Sequence, residues 1–141
     1  MNIEEILQQE CWIVDIFPQR VPKSAAERYA RIEQFYLSEP QIGQLRRTQA
    51  DALLRLSCYY EMHISFDYGE NEIELPEPQA FMDMVLDCVE EKCLYIRLNS
   101  SDCLIVVDGC DTYMTVYAPD PEQLALMEVF ASSCGLFMWK A

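Results

Sequence analysis

The stretch from Leu104 to Tyr117 constrains the fold most. Leu104-Ile105-Val106-Val107 is apolar on both sides, Asp108-Gly109-Cys110-Asp111 is a turn signal, and Tyr113 to Tyr117 reads as a returning strand. A hairpin makes its two strands antiparallel. A strand apolar on both sides needs cover on both sides, which predicts a central position in the sheet. At least part of the sheet is therefore antiparallel.

Other strands follow from β-branched or alternating patterns. Cys11 to Phe17 is β-branched and aromatic and is stopped by Pro18. Tyr59 to Asp67 alternates, with Tyr60, Met62, Ile64 and Phe66 facing one way and Tyr59, Glu61, His63 and Ser65 the other. Leu94, Ile96 and Leu98 alternate with Tyr95 and Arg97, and Leu136 to Trp139 reads as a short last strand.

Helices are predicted from start signals and spacing. Ile3, Ile6 and Leu7 suggest a short opening helix. Ser24-Ala25-Ala26-Glu27 fits a capping box, followed by Tyr29, Ile32 and Tyr36 on one face. Ser38-Glu39-Pro40-Gln41 repeats the start signal before Ile42, Leu45, Ala52, Leu53 and Leu56. Phe81, Met82, Val85, Leu86 and Val89 mark another helix behind Pro76 and Pro78. Asp120-Pro121 with Gln123 opens the last one, whose stop is Gly135. The expected architecture is one compact α+β domain over residues 1–141. It has a mixed or mainly antiparallel sheet of five to six strands and about four helices packed mainly on one face.

Charge is sorted along the chain. Residues 20–55 hold seven basic and four acidic side chains, net +3, whereas residues 56–141 hold sixteen acids and three bases. The whole chain carries −14. Nucleic-acid binding and docking on an anionic membrane surface both require excess Lys and Arg, so neither is expected. The start Met1-Asn2-Ile3-Glu4-Glu5 lacks the pattern of an export signal, and the longest apolar run is far short of a membrane span. A soluble, cytoplasmic protein is expected. The seven cysteines are odd in number and sit largely inside apolar patterns (Cys11, Cys58, Cys88, Cys103, Cys134), which suits buried free thiols. Cys93 and Cys110, near element ends, are the expected exposed pair.

Motifs for chemistry are sparse. His63 is the only histidine, and Glu61, Ser65 and Asp67 share its strand face. Glu61, His63 and Ser65 could touch and act in acid–base chemistry, but no nucleophile elbow or oxyanion glycine accompanies the trio. The loop from Asp67 to Glu74 is rich in carboxylates yet departs from the EF-hand spacing. The cysteine spacings contain no C-x-x-C, and the four glycines are isolated, which leaves no zinc motif and no phosphate loop. No metal, cofactor or catalytic residue is assigned, and no enzyme activity is expected.

Arg46-Arg47 could grip an anion, although adjacent helix residues point about 100° apart, and a solvated helix face is the plainer reading. The expected role is non-catalytic: a small acidic module that binds a basic protein partner through charge complementarity. Glu70, Glu72, Glu74 and Glu77, with Arg46 and Arg47, are the candidate partner-binding residues; Glu61, His63 and Asp67 are the weaker polar candidates. The alternatives are a homodimer or other homo-oligomer, in which the basic segment of one copy meets the acidic surface of another, and a ligand-binding or enzymatic domain using Glu61, His63 and Asp67.

Overall fold

The computed structural model describes residues 1–99 and 101–141. Five helices, α1 (Ile3–Ile6), α2 (Ala26–Tyr36), α3 (Gln41–Leu56), α4 (Pro78–Leu86) and α5 (Pro121–Ser133), accompany seven strands. The strands are β1 (Cys11–Asp15), β2 (Met62–Ser65), β3 (Ile73–Glu74), β4 (Cys93–Leu98), β5 (Leu104–Asp108), β6 (Met114–Tyr117) and β7 (Phe137–Lys140). They form one antiparallel sheet in the order β3-β2-β4-β5-β6-β1-β7. The fold is α+β, with the strand that is apolar on both sides, β5, at its centre. Among the described residues no helix is long and apolar enough to cross a membrane.

Strand register sorts the side chains onto two faces. Val14, Met114, Val107 and Leu94 lie in one cross-strand row. All four belong to the main core, together with Leu53 and Leu56 of α3, Phe81 and Val85 of α4, and Met127 and Ala131 of α5. Each fully buried aliphatic or aromatic side chain there contributes about 1.5–3 kcal/mol. The neighbouring row runs Ser65–Tyr95–Val106–Thr115–Ile13–Trp139 on the opposite face. The middle of that far face is covered by α1, whose Ile3 and Ile6 bury against Tyr95 and Leu104. Helices therefore cover both faces: α3, α4 and α5 on the core side, α1 and α2 on the other.

Several local signals act as expected. Asp120 and Gln123 form a reciprocal capping box at α5, and α4 starts at Pro78, where Glu77, expected to face a partner, is its cap. Gly109 is fixed by close approach: a Cβ there would lie 2.5 Å from the Val89 carbonyl carbon. Other details differ. Ser24 forms no capping box; Lys23–Ala25 is a 3-10 turn after Pro22, and α2 starts without a side-chain cap. Ser38 turns its hydroxyl back to the Gln34 carbonyl at 2.7 Å rather than capping α3. The acidic loop contains β3, a two-residue strand that pairs with His63 and Ile64. Cys58 is exposed and Cys93 half-buried, the reverse of what their positions in the pattern predict; all seven cysteines are free thiols.

Candidate interaction site

The two ends of the far face are built differently. At the β2–β4 end, the loop after β2 folds back over the sheet. The Gly69 amide donates to the Ser65 hydroxyl at 2.9 Å, and a Cβ on Gly69 would meet the Ile3 side chain at 2.7 Å. Asn71 Nδ2 donates to Asp67 Oδ2 at 2.8 Å, while Asp67 Oδ1 is enclosed without a hydrogen-bond partner among the described residues. Tyr68 and Asn71 both adopt left-handed backbone, with φ of 57° and 54°. That conformation is unfavourable for a bulky residue such as tyrosine.

The strained loop presents Tyr68. Its ring stacks on Tyr95 with centroids 5.0 Å apart, yet Tyr68 remains 63% exposed. Phe66, 49% exposed, stands beside it. With Asp87, Glu91 and Cys93 these rings line an open groove of about 600 Å³. Its lining combines three aromatic rings with two carboxylates, and Lys92 is the one base among them. Burial, and after it the neighbouring Tyr68 hydroxyl, hold the Tyr95 hydroxyl well above the ordinary phenol range.

The predicted site residues scatter around this groove rather than filling it. His63 lies between two shallow grooves, one shared with Glu72, Arg97 and Asn99, the other with Glu61 and Glu74. Glu61 accepts a hydrogen bond from Asn99 Nδ2 at 2.7 Å, and Glu72 sits 3.8 Å from the Arg97 guanidinium. Glu61 and His63 are thus neighbours, whereas Asp67 is turned into its own loop. Ser65, read as part of the same polar face, is buried under Gly69. Glu70 and Glu74 are exposed, and Glu77 is committed to the α4 cap.

Arg46 corrects the solvated-face reading. It is fully buried, and its guanidinium donates to the carbonyls of Cys88 (2.8 Å), Asp108 (3.0 Å) and Asp111 (2.7 Å) and to Gln49 Oε1 (2.9 Å). It holds the interior together and cannot meet a partner; Arg47 alone of the pair is exposed.

Thiol chemistry has little to work with. Burial pushes Cys88 and Cys103 up to about 12 and Cys93 up to about 11, so these groups stay protonated at neutral pH. Among the described residues no three His, Cys, Asp or Glu side chains converge as metal ligands. Of the groove aromatics, Tyr95 was legible as a strand aromatic that could pave a surface, whereas Phe66 and Tyr68 read as strand and loop residues; Tyr68 is presented by its left-handed backbone. Comparison with protein-family models, curated proteins and solved structures finds no match for this chain.

Proposed function

We propose that the protein is a non-catalytic interaction module that takes a basic protein partner in the Phe66–Tyr68–Tyr95 groove. The observation that carries this reading is Tyr68 itself. An exposed tyrosine is held in a strained backbone, stacked on a second tyrosine and flanked by Asp87 and Glu91. Strained backbone persists where the surrounding structure over-determines it, and it recurs at ligand clamps. Exposed aromatics in a pocket supply binding energy, and flanking carboxylates supply steering and selection for Lys or Arg.

The test is affinity capture from the native cell with the parent chain and with Tyr68→Ala and Asp87→Lys/Glu91→Lys. A basic protein should be recovered by the parent. Its affinity should fall about 30-fold with Tyr68→Ala, a loss of about 2 kcal/mol, and its recovery should fall with the lysine variants and with added salt. Recovery of the same protein by all variants would refute the assignment of the groove.

A second reading, self-association, rests on α2. Arg28, Arg31, Ile32 and Phe35 project from one side of that helix, and Ile32 and Phe35 are 43% and 52% exposed. A basic and apolar stripe on an acidic molecule suits the groove of a second copy. Sedimentation at low and high salt separates the two readings: a salt-sensitive oligomer abolished by Phe35→Glu supports this one, and a monomer throughout excludes it.

A further inference from the structure

The β1–β7 end of the far face holds a second concavity, separate from the aromatic groove. A pocket of about 230 Å³ lies between the sheet, the loop after β1 and the start of α2. Asp15, the last residue of β1, lines it and is only 4% exposed. Tyr29 and Trp139 form its walls with Val21 and Pro22, and the exposed Arg20 and Lys23 stand at its edge. Trp139 Nε1 donates to the Phe17 carbonyl at 3.2 Å, and Phe17 packs on Tyr29 at 5.9 Å, so the walls are braced from behind.

Asp15 has no counter-ion. Its Oδ1 accepts the Ile16 amide at 2.7 Å and the Phe17 amide also favours its charged form, but among the described residues it forms no ion pair. The charged side chain acting on it is another acid, Glu33 of α2, which also raises the neighbouring Tyr29 hydroxyl. Buried carboxylates are ordinarily paired, because an isolated one costs several kcal/mol or takes up a proton. A buried carboxylate without a counter-ion, lining an aromatic-walled cavity, can receive a cation. The volume is below the ~300–1,000 Å³ of drug-sized ligand sites, which suits a small metabolite.

We propose that this pocket binds a small amphoteric ligand: its ammonium group on the Asp15 carboxylate, its apolar body between Tyr29 and Trp139, and its anionic end at Arg20 and Lys23. Charge of both signs, separated by an apolar stretch, is what the lining selects. A simple amine satisfies the inner end only, and a simple carboxylate meets repulsion from Asp15 and Glu33.

The experiment is an NMR titration that follows the Trp139 indole Nε1–H, identified by its loss in Trp139→Phe. The probes are straight-chain ω-amino acids of four to eight carbons, with hexylamine and hexanoate as single-charge controls. At least one ω-amino acid should shift the Trp139 signal saturably and bind about tenfold tighter than either control, a difference of about 1.4 kcal/mol. Asp15→Asn keeps an acceptor for the Ile16 amide while removing the charge, and it should abolish the preference for amines. Should Asp15→Asn fail to fold, the surface variant Arg20→Glu/Lys23→Glu serves: it should weaken the ω-amino acid and leave hexylamine as tight or tighter. Saturable binding of hexanoate equal to that of the ω-amino acids, no shift with any amine, or an unchanged preference in the variants would overturn the proposal.

Discussion

Arg46 puts a positive charge into the interior and answers it with backbone carbonyls rather than a carboxylate. The acceptors come from the end of α4, the end of β5 and the turn before β6, so one guanidinium fastens α3 to three chain segments. Gln49, one turn further along α3, accepts from Arg46 and donates to the Thr112 carbonyl at 3.1 Å, which extends the same tie. Replacing Arg46 strands several buried acceptors at about 1–3 kcal/mol each. Arg46→Ala is expected to cost about 3–5 kcal/mol, seen as a lower midpoint of urea unfolding with an unchanged slope. Arg46→Met restores much of the volume but no donor, so it should be nearly as damaging; a Met variant close to the parent would assign the effect to packing instead. Position 46 lies within the stripe formed by Ile42, Leu45, Leu53 and Leu56, yet its charge led to the reading of a solvated face. Its burial was not legible, because the acceptors sit 42 to 65 residues away in sequence.

At the scale of elements, α2 is the loosely attached piece. It is eleven residues long and buries none of them, whereas α3 buries eight of sixteen. Its hold on the molecule includes the Tyr29–Phe17 ring pair and the contact with the start of α3. Segments with few buried apolar contacts open at a small fraction of the global unfolding free energy. Hydrogen exchange should therefore be faster in α2 than in α3, and Tyr29→Ala should speed α2 further while leaving α3 unchanged. Equal protection of the two helices would contradict this. The helix itself was readable from the 3.6-residue spacing of Tyr29, Ile32 and Tyr36, but its loose seating was not, since amphipathic spacing does not state how much of a face finds a partner. β3 shows the same limit from the other side. Ile73 and Glu74 sit in a loop that reads as solvated acid, and they become a strand only because β2 offers an edge. The central hairpin, by contrast, was legible because its turn and both its strands are contiguous.

For the molecule as a whole, the −14 charge acts on stability through the acids that face α2 and the β5–β6 turn. Burial, followed by the neighbouring Asp108 and Glu33 charges, pushes Asp111 up from 3.8 to about 6, with Arg46 opposing. Burial is also the first cause that raises Asp15. A carboxyl raised on folding binds its proton more tightly in the native state than in the unfolded chain. For Asp111 that contribution to stability is full below about pH 4 and is lost as pH climbs through about 6. Asp111→Asn leaves the backbone carbonyl free to hold Arg46 and removes that loss. The variant should melt higher than the parent at neutral pH, and the gap should close below about pH 4. Added salt at neutral pH should raise the parent's Tm more than the variant's, since screening relieves the same repulsion. A melting difference independent of pH would mean that Asp111 acts through packing, and that like charge is not what limits this fold.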